Sequence, residues 1–341
     1  TLVEGLANGK VRLQSFDPIA FSSDLQIDSL RLKEINAGNL SVKINQQTED
    51  LLDANISLLG LKNDIKIAGD YDIKAKNLEL KLNMNYFNLQ SIEPFMGDYL
   101  SKVRGGIKGN LNISGTLTDP KVVGELKTDS AWAIYKEYGT YLMLPNEALT
   151  FDNGEIVFNN FHFLDSAGHQ GEVNGSFRME GLTHFNYDAK IKANNFRVVG
   201  SKQYPEQQIY GPASADATIN LTGTEEKLKV DGEVKVTDNS ALTYIYASND
   251  VAREGDGLIE FFDPAHPEND SIALTKVKKK SNPMQMLLNM NISTTPKSTV
   301  TIVLDEMSGD QLKIAGTADL NFSMNPGGQM QMTGKYTVAV S

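Results

Sequence analysis

The feature that most constrains this chain is an alternation of apolar and polar residues with a period of two. In its clearest instance, Leu78, Leu80, Leu82, Met84 and Tyr86 alternate with charged and amide residues. Such alternation indicates a β-strand with one apolar face and one polar face. Because the same pattern recurs along nearly all of the 341 residues, we predict an all-β protein of about two dozen strands.

Glycine recurs at a fixed place within these predicted strands. The order is apolar, any residue, apolar, any residue, glycine, and the alternation continues through the glycine. A glycine inside a strand often marks a bend or a close approach of two backbones. We therefore expect the strands to curl around their apolar face, although unrelated β-bulges would produce the same glycine pattern in the sequence. The motif occurs at Ile65–Gly69, Leu111–Gly115, Ile219–Gly223, Leu228–Gly232, Leu312–Gly316 and Met330–Gly334.

One segment departs from the strand pattern. Between Ser91 and Arg104, apolar residues recur at helical spacing, Pro94 lies in the first turn, and Gly105 follows the segment. We predict one short amphipathic helix here, packed on the sheet.

So many half-apolar strands require that their apolar faces be covered, and a single helix is too small to do so. Two sheets packed as a sandwich, a membrane-embedded barrel, or one long curled sheet would each solve this. A barrel would carry girdles of aromatic residues, yet aromatic residues make up only 8% of the chain and do not cluster at strand ends. A sandwich leaves the mid-strand glycines unexplained. The pattern therefore favours a long curled sheet that forms a trough with an apolar interior.

Three stretches resemble one known family. They are GNLNISGTLTDPKVVGELK at Gly109–Lys127, LPNEALTFDNGEIVF at Leu144–Phe158, and the strand–turn–strand stretch at Gly309–Val338. All three are similar to the TamB proteins, which belong to the AsmA-like group of bridge-like lipid carriers. The stretch at Phe185–Asp263 is similar to the Bacteroidota branch of that family.

The resemblance implies a U-shaped sheet called a β-taco. It implies a protein that carries phospholipid from the inner to the outer membrane through the periplasm. The implied partners are phospholipid, an outer-membrane barrel of the TamA or TamL type, and the inner membrane through a segment outside this chain. An alternative role is a scaffold for the assembly of outer-membrane β-barrel proteins. We predict one continuous architecture, with taco strands at residues 1–90 and the TamB-type region at 91–341, which begins with the short helix.

If the apolar faces line a trough, its lining can be named from the alternation. Each residue chosen is apolar and in phase with its strand's apolar face. The predicted groove-lining residues are Ile65, Ile67, Leu80, Leu82, Leu111, Ile113, Leu117, Ile191, Ile219, Leu221, Val230, Val234, Ile314, Leu320 and Phe322.

Composition argues against several other functions. The net charge of -11 disfavours nucleic-acid binding, which needs clustered Lys and Arg. The absence of cysteine removes disulfides, zinc–thiolate sites and thiol nucleophiles. No apolar run is long enough to span a membrane as a helix, so we expect any anchor to lie outside this chain. We predict no enzymatic activity and no cofactor.

Two polar features remain. His162 and His169 flank Asp165, but their spacing matches no known metal site, so we interpret them as solvated residues at strand ends. The long loop at Asp263–Pro283 contains a basic run at Lys276–Lys280, which we interpret as solvated, with contact to anionic headgroups as the alternative.

Overall fold

The computed structural model describes residues 3–16, 19–180, 184–200, 209–224, 226–245, 285–305 and 308–338. The loop at Asp263–Pro283, with its basic run, lies outside these ranges. The described residues form a single curled sheet of 21 strands with one short helical segment. The predictions of an all-β chain, a long curled sheet and one short helix are therefore confirmed. A sandwich of two separate sheets is wrong.

The strands follow one another closely along the chain, because turns rather than helices connect most of them. Their bounds are β1 Val3–Phe16, β2 Ile19–Leu32, β3 Ile35–Gln46, β4 Leu51–Gly60, β5 Asn63–Asp72, β6 Asn77–Asn88, β7 Leu100–Gly115, β8 Pro120–Tyr135, β9 Thr140–Leu144, β10 Ala148–Asp152, β11 Glu155–Leu164, β12 Gln170–Glu180, β13 His184–Val199, β14 Ile209–Tyr210, β15 Ala213–Thr224, β16 Lys227–Val236, β17 Ala241–Ile245, β18 Gln285–Ser293, β19 Thr299–Asp305, β20 Asp310–Met324 and β21 Met330–Val338.

The sheet is an antiparallel meander over most of its length. Strands β1 to β8 pair in sequence order, and β8 then pairs with β9 near its end and with β10 near its middle. The order continues through β11, β12, β13, β15 and β16. The described parallel pairings are β16 with β18 and β17 with β19. Both β18 and β19 pair with β20, and β21 follows.

The residues of the turn explain the hairpin between β10 and β11. The turn at Asp152–Gly154 joins β10 to β11, with Asn153 and Gly154 both at positive φ. Two consecutive residues with positive φ match the twist of an antiparallel hairpin, and Asn-Gly is the pair that adopts this conformation most readily.

The helical segment is shorter than predicted. A 3₁₀ turn spans Leu89–Ile92 and the α-helix, α1, spans Glu93–Met96, whereas Leu100–Arg104 already belong to β7. Asn88 caps the segment by accepting a hydrogen bond from the Gln90 amide. The predicted helix therefore ends several residues early, because the apolar spacing of its second half suits a bulged strand equally well.

The mid-strand glycines mark close backbone approach, as the motif predicts. At Gly69, φ is +152°, and a Cβ atom would lie 2.0 Å from the carbonyl oxygen of Glu79 on the neighbouring strand. No side chain fits between strands at that distance. An added Cβ meets a backbone oxygen within 2.8 Å at every other glycine of the motif, namely Gly115, Gly223, Gly232, Gly316 and Gly334.

Candidate functional site: a continuous apolar face

One face of the sheet is apolar without interruption from β1 to β18. Residues that are directly opposite each other on paired strands point to the same face, so the strand register assigns faces. Following the register from strand to strand gives an unbroken row of apolar, aromatic and glycine residues. The row is Gly9, Leu25, Val42, Ile56, Ile67, Leu82, Leu111, Gly124, Phe151, Ile156, Phe177, Tyr187, Gly223, Leu228 and Met286.

A second row carries the same face to the end of the sheet. It begins on β11 and crosses to β21, and it too contains only apolar residues and glycine. The row is Phe158, Gly175, Ala189, Leu221, Val230, Leu288, Met324 and Met330. We call the surface that these two rows share the apolar face.

The opposite face is polar. Lys66, Asn83, Asn110 and Glu125 are successive partners on β5 to β8, and all four are exposed. A sheet with one wet face and one apolar face needs cover on one side only.

Most of the predicted lining residues lie on the apolar face. Ile67, Leu82 and Leu111 are successive partners, as are Leu80 and Ile113. On the later strands the register pairs the remaining residues with apolar partners. These residues are Ile65, Ile191, Ile219, Leu221, Val230, Val234, Ile314, Leu320 and Phe322.

Leu117 is the exception. β7 ends at Gly115, and Leu117 lies in the turn before β8 with 61% of its surface exposed. The prediction that Leu117 lies in the strand was wrong, because Gly115, with φ of +96°, ends the extended conformation two residues earlier.

The apolar face is not sealed by a second protein layer. Of the other predicted lining residues, only Leu111 is buried, and the rest are half-buried. Among the described residues, the largest side chains with less than 2% exposure are those of Ser91 and Thr128. A closed core would bury large apolar side chains completely. The face is therefore open along most of its length, as a groove that admits a ligand must be.

The helical segment covers one stretch of this face. Leu89, Ile92 and Met96 lie over residues of β7, β8, β9 and β11, and together they line a cavity of about 430 Å³ that is partly open to solvent. The walls include Val103, Trp132, Leu142, Leu144, Phe161 and Phe163. All of the lining residues are apolar. Sequence reasoning did not predict this cavity, although the helical spacing of Ile92 and Met96 indicated a face packed against the sheet.

Polar contacts fasten the segment on both sides. Glu93 accepts hydrogen bonds from the Arg104 guanidinium at 2.7 Å and from the Lys102 amide at 2.9 Å. Lys33 and Lys136 donate to the carbonyl oxygens of Pro94 and Gly97.

Below the segment, the buried amide of Asn63 contributes further contacts. It donates to Ser91 at 3.0 Å and to the carbonyl oxygen of Ala37 at 2.7 Å, and it accepts from the Asn88 amide. These hydrogen bonds link the segment to β3 and β5, on one side of the stretch that it covers.

The comparison with known protein families decides the family. The model of the TamB C-terminal domain matches residues 159–340, which is more than half of the chain. The chain belongs to the TamB family. Neither a curated protein nor a solved structure matches it.

Membership of the TamB family associates the chain with the cell envelope and with transport of lipid or protein there. None of the helices in the described ranges has the length and apolar character needed to cross a bilayer. The matched TamB region begins within β11 and contains the Gly309–Val338 motif, whereas the Gly109–Lys127 motif precedes it. The apolar face crosses this boundary without a break.

Within the TamB-matched region, Asp165 is the centre of a buried polar network, so its interpretation as a solvated residue was wrong. Its carboxylate is fully buried and accepts hydrogen bonds from the amides of Ala167, His169 and Arg197, and from the His169 ring at 2.9 Å. Asn195 contacts the other ring nitrogen of His169. This network fastens the β11–β12 turn to β13.

Neither histidine forms part of a metal site in the described structure. His162 lies 3.6 Å from the Glu147 carboxylate, and His169 is engaged by Asp165 and Asn195. No cluster of three or more potential ligands is placed to hold a metal ion in the part of the chain that the structure describes.

The Asp165 network makes the β11–β12 turn sensitive to acid. Burial alone raises the pKa of Asp165, but the hydrogen bonds from Arg197, His169 and Ala167 outweigh it, and the net pKa lies below the usual value of 3.8. A depressed folded-state pKa stabilises the fold above the unfolded pKa, and that stability is lost as the pH falls through the folded pKa. We expect the protection of the turn amides and of the Arg197 amide against exchange, relative to their intrinsic rates, to fall below about pH 3.8.

The Asp165→Asn variant tests the same network at neutral pH. It removes an anionic acceptor of several hydrogen bonds, so we expect a local loss of ~2 kcal/mol, measured by amide exchange. Asp188→Asn is the matched control, because Asp188 is exposed on β13. Equal exchange in both variants would show that the network contributes no stability.

Proposed function

We propose that this chain is a non-enzymatic conduit that carries phospholipid acyl chains along its apolar face between the inner and outer membranes. The single observation that carries the proposal is the uninterrupted apolar row from β1 to β18, on a face that no second protein layer seals. Each methylene transferred from water to such a surface gains about 0.8 kcal/mol. A row that offers the same apolar contact on every strand lets a chain move without a deep energy minimum.

The length of the sheet suits this role. Neighbouring strands are about 4.8 Å apart, so the strands that the two rows cross extend over many nanometres in the hydrogen-bonding direction. A curled sheet of this length forms a U-shaped groove with its polar face toward the aqueous periplasm. Headgroups would remain at the open side of the groove, where water solvates them.

The proposal requires that the purified chain retain phospholipid. Native mass spectrometry of protein prepared without detergent is expected to show additional masses that correspond to bound phospholipid, released by collisional activation. Protein that is free of lipid in every charge state, and that acquires none when mixed with vesicles, would contradict the conduit.

A scaffold for outer-membrane barrel assembly is the second candidate. One observation favours it: within the described part of the chain, β1 and β21 each pair with one strand only. An unpaired strand edge can accept a strand from a partner. The expected partner for either function is an outer-membrane barrel of the TamA or TamL type.

Photo-crosslinking separates the two candidates. A benzoylphenylalanine at Gln331 on β21 is expected to capture strands of unfolded barrel proteins if the scaffold is the function. The same group at Leu221 on the apolar face is expected to capture lipid if the conduit is the function.

A further inference from the structure

The cavity beneath the helical segment differs from the rest of the apolar face. Elsewhere in the described part of the chain no second element lies over the face, whereas here Leu89, Ile92 and Met96 lie over it and form a pocket that stays partly open to solvent. The volume of this pocket, about 430 Å³, lies in the range of sites that hold one small ligand.

The lining identifies the class of occupant. All of the lining residues are apolar, so a water molecule inside would lack the two to four polar partners that it needs. Phe161 also belongs to the apolar face, because it is opposite Val173, which is opposite Ile191. A hydrocarbon chain on that face therefore reaches the cavity without crossing a polar surface.

We propose that the segment Leu89–Gly97 is a latched cover that makes this stretch of the groove a discrete binding site for one hydrocarbon chain of a lipid. The inference rests on the proposed conduit and adds to it one position at which a lipid chain is retained. The latch is the Glu93–Arg104 ion pair, in which Glu93 is 23% exposed, together with the contacts from Lys33 and Lys136. A lipid held here has its chain between the sheet and the segment, whereas on the open face it is covered on one side only.

Two photo-crosslinking positions test the site. Benzoylphenylalanine replaces Leu142 in the cavity wall in one protein and Leu221 on the open apolar face in the other, and each is irradiated with phospholipid vesicles. We expect lipid adducts at both positions, with roughly tenfold more at Leu142 because the covered site retains the chain longer. The adduct mass distinguishes a phospholipid from a free fatty acid.

Each outcome has one meaning. Equal capture at the two positions, or capture at Leu221 alone, would overturn the discrete site and leave the conduit standing. Absence of lipid at both positions would contradict the conduit itself. Adducts at Leu142 that contain only protein would show that the cavity receives a partner's side chain and not lipid.

Two variants complete the design. Ala133→Trp fills the cavity and is expected to lower capture at Leu142 by about tenfold, with capture at Leu221 unchanged, which also shows that the sheet remains folded. Arg104→Met removes the ion pair and keeps an apolar side chain. It is expected to speed amide exchange at Leu89–Gly97 and to lower capture at Leu142 toward that at Leu221. Unchanged exchange and capture in Arg104→Met would show that the ion pair is not a latch.

Discussion

Replacing Ile113 by aspartate is expected to stop lipid transfer while leaving the sheet folded. Ile113 lies on the apolar face between its register partners Leu80 and Val122, and it is half-buried. A carboxylate at this position must keep its hydration, so an acyl chain that passes it displaces water from a charge. A barrier of ~3 kcal/mol from this desolvation would slow passage by roughly 100-fold. The fold survives because the side chain can turn toward the open side of the groove.

The neighbouring residue provides the control. Asn112 is exposed on the polar face, one residue away on the same strand, so Asn112→Asp adds the same charge outside the groove. Transfer of a fluorescent phospholipid between donor and acceptor vesicles measures both variants, and circular dichroism checks the fold. Leu320→Asp repeats the test on β20. Normal transfer by a folded Ile113→Asp protein would count against the conduit.

Replacing Gly69 by alanine is expected to unfold the β5–β6 hairpin locally. The backbone at Gly69 has φ of +152°, and an added Cβ atom would lie 2.0 Å from the Glu79 carbonyl oxygen. Relief of that contact requires β5 to move away from β6, which breaks their hydrogen bonds. We expect a loss of about 3 kcal/mol, measured as faster amide exchange in Asn63–Asp72 and Asn77–Asn88.

Gly9 is a glycine that tolerates the same change. A Cβ atom there would have the Leu25 Cδ1 atom at 3.5 Å as its nearest neighbour, which is an ordinary contact. Gly9→Ala is therefore expected to leave exchange in β1 and β2 unchanged. If Gly69→Ala also left its hairpin protected, the close backbone approach would not be what requires glycine in the motif.

The sequence predicted local features because they depend on local physics. The period of two assigned Ile67, Leu82 and Leu111 to one face, since a side chain in a strand has only two directions to point. The same reasoning misplaced Leu117, because a glycine with positive φ ends a strand without breaking the apolar pattern. It also extended the helix through Leu100–Arg104, where a bulged strand satisfies the same apolar spacing.

The polar network at Asp165 could not be predicted, because it depends on contacts between distant residues. An Asp followed by Ser-Ala-Gly indicates a turn, but burial of the carboxylate depends on Arg197 and Asn195, which lie about 30 residues away on β13. Contacts at that separation leave no local trace in one sequence. The cavity beneath the helical segment is of the same kind, because its walls come from four strands and its cover from a fifth element.

The amino-acid sequence by itself determined that this chain forms strands with one apolar face, that glycine occurs where two backbones meet, and that the chain resembles TamB proteins. Each of these follows from residue spacing and side-chain size. Only the tertiary structure decided that the apolar residues of successive strands align into unbroken rows, and that the helical segment covers one stretch to form a cavity. Register and cover depend on how distant segments pair, and pairing is a property of the folded sheet as a whole.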